Sequence, residues 1–119
     1  MTSINAYSFY GCVSLNSVAI PNSVTRIRGM VFEGCTGLTN VMIGNSVTNI
    51  ENSAFSGCVN LTSLEIPSSV THIGSSAFLQ CIRLTNVTLP DNLISIGSQV
   101  FSGCALTARS KTGGLANGG

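Results

Sequence analysis

The sequence predicts a repeat solenoid: about five stacked coils, with a parallel β-sheet along the main face, short strands and turns on the other, and little helix. Three observations predict it. Phe9, Phe32, Phe55, Phe78 and Phe101 stand 23 residues apart, and there is no other phenylalanine. Cys12, Cys35, Cys58, Cys81 and Cys104 keep the same spacing, again with no others. Aliphatic columns share the register: Leu15, Leu38, Leu61, Leu84; Val18, Val41, Leu64, Val87; Ile20, Ile43, Ile66, Leu89; Val24, Val47, Val70, Leu93; and Ile4, Ile27, Ile50, Ile73, Ile96. A fixed period of about 20 to 50 residues marks a solenoid, a propeller or an array. Columns that stay apolar in every copy need burial.

The unit from Leu61 to Arg83 shows how one coil is built. In "LTSLEIP", Leu64 and Ile66 point one way and Ser63 and Glu65 the other, the alternation of a short strand. Pro67 ends it, as Pro21 and Pro90 do in their copies, because proline has no N–H to continue a ladder; Gly44 takes that place in the second copy. Ser68 and Ser69 make a turn. "VTHIG" is a second short strand with Val70 and Ile73 inward. "SSAFLQC" is expected to form tight turns, 3₁₀ or a short helix, that plant Phe78 and Cys81 in the core. Stacked coils place equivalent strands about 4.8 Å apart. The "LTSLEIP" copies then form the main sheet, the "VTHIG" copies a rougher ladder opposite, and Asn or Ser at the turns form hydrogen-bonded ladders.

The unit "LTSLEIPSSVTHIGSSAFLQC" resembles the BspA-like, or treponemal-type, leucine-rich repeat, whose pattern runs close to L-x-x-[LVI]-x-[LVI]-P-x-x-[LV]-x-x-I-x-x-x-[AV]-F-x-x-C. The match covers about Ile4 to Leu106. It departs at the end, where Thr107 occupies the Leu column and Ser110 the Val column. The expected organisation is a solenoid over 1–106 and a flexible, Gly-rich tail over 107–119. The resemblance implies a non-enzymatic protein-binding module at the cell surface or secreted, linked to adhesion, with extracellular-matrix or other cell-surface proteins as partners.

Composition excludes several classes. Charged residues are 8%, against roughly 25% in average domains. Net charge is +1, so there is no electrostatic footprint for nucleic acid or an anionic membrane. No stretch approaches the roughly 18 apolar residues of a membrane span. The opening "MTSINAYSFYGC" lacks the basic and apolar regions of a signal peptide. It starts within a coil, which is expected of a fragment or of a first coil that needs a partner.

Nothing points to catalysis, a cofactor or a metal. The cysteine spacing is not a zinc pattern, which needs close pairs. Sulfurs in one column lie in a row and cannot converge on one ion, and parallel Cβ vectors suit disulfides poorly. A ladder of buried thiols is expected. His72, the only histidine, falls in the outward column Arg26, Asn49, His72, Ser95, with no carboxylate to orient it. Glu33, Glu51, Glu65 and Asp91 occupy four different columns, so no carboxylate pair is expected; Arg28 and Glu51 share a column as a surface ion pair. Asn60 and Asn86 head two glycosylation sequons and are expected to be exposed.

The candidate binding residues are the outward positions of the main strands: Asn40, Ser63 and Asn86 in one column, Met42, Glu65 and Thr88 in the other. The second column changes chemistry at every coil, which is how repeat proteins present a tunable surface. A second expectation is self-assembly. Uncapped ends, with Phe9 and Leu15 in front and Leu89 and Phe101 behind, are copies of one unit and could stack head to tail into oligomers or filaments.

Overall fold

The computed structural model describes residues 3–4, 8–106 and 108–109. Among them there is no helix. Every coil contributes two short strands, and all pairings are parallel. β1 (Ser3–Ile4), β3 (Arg26–Ile27), β5 (Asn49–Ile50), β7 (His72–Ile73) and β9 (Ser95–Ile96) form one uninterrupted ladder. The longer strands β2 (Ser17–Ile20), β4 (Asn40–Ile43), β6 (Ser63–Glu65) and β8 (Asn86–Thr88) make the main face. The register is that of the sequence period: Ser17 lies beside Asn40 and Ser63 beside Asn86.

The main face is not one sheet. β2 pairs with β4, and β6 pairs with β8 and β10 (Ala108–Arg109). β4 and β6 lie side by side without ladder pairing. The bonds that lead the chain into these strands, Thr39 N–H to the Asn16 carbonyl (2.8 Å) and Thr85 N–H to the Thr62 carbonyl (3.0 Å), lie on either side of this break. The ladder expected to be the rougher of the two is therefore the continuous one.

The turns form a third ladder. Phe32 N–H reaches the Ala54 carbonyl at 2.8 Å, Phe55 N–H the Ala77 carbonyl at 2.8 Å, and Phe78 N–H the Val100 carbonyl at 3.1 Å. The turn backbone is thus spent between coils rather than within a helix. Left-handed residues make this geometry. Met30, Ser53, Ser76 and Gln99 hold φ of 58–61°, and Gly34, Gly57 and Gly103 hold 76–82°; Gln80 takes the glycine place at 61°. Such a residue stops helical continuation and turns the N–H groups that follow toward the next coil.

The core is a continuous column. Phe32, Phe55 and Phe78 are fully buried, as are Cys35, Cys58 and Cys81. Neighbouring phenylalanine rings stack nearly parallel, with centroids 5.1 to 5.8 Å apart across the four contacts from Phe9 to Phe101. That separation exceeds the ring thickness, so the rings are offset, the favoured arrangement for aromatic faces. The expectation that every column member lies in the core fails at the front. Phe9 is 36% exposed and Cys12 half-buried, because only one neighbouring coil covers them. Cys104 is half-buried, while Phe101 is covered.

Polar side chains also climb from coil to coil. Asn22 Oδ1 accepts from Asn45 N–H (2.8 Å), Asn52 Oδ1 from Ser75 N–H (3.0 Å), and Ser75 Oγ from Ser98 N–H (3.3 Å). The hydroxyls of Thr48 and Thr71 donate to the Thr25 and Thr48 carbonyls. Asn60, expected to be exposed, is half-buried. Its amide donates to the Thr36 carbonyl (2.7 Å) and its oxygen accepts from Arg83 (2.8 Å), so it ties three coils together.

Near the end the period changes. Ala108 pairs with Asn86, one residue closer than the step of 23 residues found between the other coils. The sequence column failed at Thr107 for this reason: Leu106 packs against the core as the leucine of a shortened coil. The tail expected over 107–119 lies outside the described residues, except that the backbone of Ala108 and Arg109 adds a strand to β8.

Candidate binding face

The alternation of β4, β6 and β8 puts Val41, Leu64 and Val87 into the core and leaves their neighbours outside. Asn40, Ser63 and Asn86 form one exposed row, and Met42, Glu65 and Thr88 a second, in register for the Glu65–Thr88 pair. Met42 is 64% exposed, the one large apolar side chain in the outward rows of these three strands. Its chain, the Glu65 side chain and the ends of all three strands border an open groove of about 640 Å³. The groove crosses the break between β4 and β6. Ile66 and Pro90, both buried, lie beneath it, and Pro67 and Asp91 complete its rim. A shallower depression of about 500 Å³ runs over Asn40, Ser63 and Asn86.

Glu65 and Asp91 thus share one groove although their columns differ. Asp91 lies in the turn that follows β8, beside the end of the neighbouring strand β6. The 23-residue spacing does not show this, because it fixes position along a coil and not which turns border one groove.

On the opposite side Glu51 and His72 border a second open depression of about 550 Å³. Glu51 sits between two guanidinium groups, with Arg26 at 3.7 Å and Arg28 at 3.9 Å. The Arg28 pairing follows the column; Arg26 joins from two columns away because its side chain is long enough to cross. All three side chains are at least one-third exposed, so water screens the cluster. His72 is half-buried rather than on the open surface, and its Nδ1 lies 2.8 Å from the Thr71 hydroxyl. No group of three His, Cys, Asp or Glu able to hold a metal occurs among the described residues.

The five cysteines are free thiols. Cys35, Cys58, Cys81 and Cys104 each donate to a phenylalanine carbonyl of the preceding coil, at 3.1 to 3.2 Å. The same carbonyl accepts from its own coil: Phe32 C=O receives the N–H of Cys35 and the thiol of Cys58, each at 3.2 Å. Both lone pairs are satisfied, which apolar residues of similar size could not do. Three of these thiols hold their protons more tightly than a free cysteine. Burial pushes Cys35 up. At Cys81, hydrogen bonding to Cys104 lowers the value while hydrogen bonding to Cys58 and burial raise it, for a net shift up to about 12. Cys104 is raised by its contact with Cys81 and by burial.

Exposed apolar side chains that the periodicity did not single out are Tyr10, Val13, Ile82 and Ile94. Ile94 stands where the earlier coils hold Thr25, Thr48 and Thr71, and that substitution was its only signal.

Solved structures share this architecture. A leucine-rich repeat protein of T. pallidum superposes with a TM-score of 0.89 at 34% identity, over 92% of this chain and 51% of that one. A leucine-rich repeat protein from Bacteroides ovatus gives 0.73 at 30% identity, over 87% of this chain and 33% of the other. A leucine-rich cell surface protein from Faecalibacterium prausnitzii gives 0.54 at 24% identity, a likeness of fold alone, over 92% of this chain and 42% of that one. The chain spans about half the T. pallidum protein and a third of the B. ovatus one. No curated protein matches it. The sequence signature of the BspA-type leucine-rich repeat region matches residues 2–112 as 6 copies. With the 23-residue step, the thiol and phenylalanine ladders and the parallel strands, this makes the chain a member of the BspA-type leucine-rich repeat family.

Proposed function

We propose that the chain is a non-enzymatic protein-binding module, of surface or secreted type, that adheres through the main strand face. The observation that carries this reading is Met42, 64% exposed on an ordered strand beside an open groove. An exposed apolar side chain at the edge of an open groove is suited to be covered by a partner. The varied row Met42, Glu65, Thr88 supplies specificity, and the polar row Asn40, Ser63, Asn86 extends the contact. The partner class is an extracellular-matrix or cell-surface protein. Among the described residues no helix is long and apolar enough to cross a membrane.

The test is surface plasmon resonance against immobilised, purified extracellular-matrix proteins. Met42→Lys combined with Glu65→Arg should lower affinity for any bound protein by about tenfold or more, the loss of a small hot spot, with an unchanged circular dichroism spectrum. Equal affinity in the double variant would move the contact off this face.

End-to-end stacking of copies is the second reading. Phe9 favours it: its ring stacks on Phe32 and remains 36% exposed. Size-exclusion chromatography and negative-stain microscopy over a concentration series test it. Fibres or end-joined dimers that vanish in Phe9→Lys support stacking, and a monodisperse monomer at high concentration rules it out.

A further inference from the structure

Hydrogen bonding and packing both mark the seam between β4 and β6 as open. At the seams on either side, the threonine that leads into the strand grips the preceding coil twice. Thr39 gives its N–H (2.8 Å) and its hydroxyl (3.2 Å) to the Asn16 carbonyl, and Thr85 gives the same two groups to the Thr62 carbonyl, at 3.0 and 3.4 Å. Thr62, the same residue in the same column, gives neither to Thr39. The ladder beyond it is missing as well: β2 pairs with β4 and β6 with β8, but β4 does not pair with β6. Packing agrees. Ile43, in the middle of the stack, is only half-buried, whereas Ile20, Ile66 and Leu89 of its column are buried.

Gly44 supplies a cause. It follows Ile43 where the other coils carry Pro21, Pro67 and Pro90. A Cβ there would stand 2.6 Å from the Ile20 carbonyl oxygen, so a glycine lets the end of β4 settle this closely on the coil of β2. β4 is drawn to one neighbour at the expense of the other. Behind the seam the same two coils stay joined. Asn49 and Ile50 pair with His72 and Ile73, Gly74 N–H reaches the Ile50 carbonyl at 2.7 Å, and Phe55 N–H reaches the Ala77 carbonyl at 2.8 Å. We infer that the β4–β6 seam is a cleft that opens and closes about this uninterrupted back, β2 and β4 swinging as one body against β6 and β8. The groove bordered by Met42 and Glu65 lies across the cleft, so its width varies with the swing. Any partner that fills the groove would hold the hinge at one opening. The inference concerns the free chain and does not rest on the strand-face reading.

The experiment is pulsed electron paramagnetic resonance on the whole chain with nitroxide pairs. Cys12→Ala and Cys104→Ala first remove the two half-buried thiols; the other three are buried. One pair, Ala19→Cys with Thr88→Cys, spans the seam on the main face. The other, Arg26→Cys with Ser95→Cys, spans the same coils on the uninterrupted ladder. Each pair lies three rungs apart, about 14 Å between backbones. The main-face pair should give a distance distribution about twofold broader than the ladder pair, as a hinge on the ladder side requires. Loosening of the whole fold would broaden both. Relaxation-dispersion NMR on the unsubstituted chain is the second measurement. Amides of β4 and β6 should show microsecond-to-millisecond exchange while those of β5 and β7 stay flat. Equally narrow pairs would overturn the hinge. So would equally broad ones, which would mean that the stack loosens everywhere. If the labelled variants do not fold, the dispersion profiles decide alone, and flat profiles at β4 and β6 would overturn the inference.

Discussion

At the scale of single residues, the two strict columns work together. Phe32, Phe55 and Phe78 each fill the core with the ring and offer the carbonyl to the cysteine of the next coil. Phe55→Ala should cost about 3–5 kcal/mol in urea denaturation, the range for a deleted buried aromatic. Phe9→Ala should cost much less, because Phe9 is already part-exposed. Cys58→Ala should cost about 1–2 kcal/mol, since it removes a buried thiol and leaves the Phe32 carbonyl one bond short. The thiols also set a pH dependence. The unfolded thiol of Cys81 ionises near its ordinary value of 9.0, while the folded one holds its proton up to about 12. A folded pKa raised above the unfolded one gives stability that is fully present below pH 9 and is lost as pH climbs toward 12. Urea midpoints should be flat below pH 9 and fall above it, less steeply in Cys81→Ala. Which positions are buried was legible in the sequence, because recurrence at one spacing reports burial directly. The thiol's donor role was not: a column of small apolar residues looks the same whether or not its members give a hydrogen bond.

At the scale of elements, strands and their ends were legible through alternation and proline, but the turns were not. "SSAFLQC" has the composition of a short helix or a tight turn, and only the left-handed residues at Ser76 and Gln80 decide between them. Neither is glycine, so local sequence carries no mark of the conformation. Gln80 stands where Gly34, Gly57 and Gly103 recur. Gln80→Gly should therefore raise stability by about 0.5–1 kcal/mol, the relief of a left-handed side chain less the extra freedom of an unfolded glycine. Gly44 makes the contrary case. It replaces proline in its column, yet a Cβ there would lie 2.6 Å from the Ile20 carbonyl oxygen and 2.7 Å from that of Pro21. Restoring the column with Gly44→Pro should lower the melting temperature; a rise would show that the coil relaxes freely at this point. The break between β4 and β6 has no sequence signal at the strands themselves, since Val41 and Leu64 fit their column as well as any pair.

At the scale of the whole molecule, each coil touches mainly its neighbours, so stability is a sum of local terms. Amide exchange should be slowest at Phe55 and Gly57, whose N–H groups bond to the following coil in the middle of the stack, and faster at Phe9 and Gly11. The face that bears Met42, Glu65 and Thr88 was legible as a position but not as a groove, because a column fixes a residue's place along its coil and not which residues of neighbouring coils border one concavity. The three backbone ladders have one more consequence. Their bonds all point along the stacking axis, so tension applied between the two ends loads them one coil at a time, as a zipper is loaded at its slider. A pull across the axis would strain many bonds in parallel. Stretched from its ends, the molecule should yield in a staircase of low-force steps, each releasing one 23-residue coil and about 75 Å of chain, and so behave as an extensible tether whose slack is paid out in equal lengths.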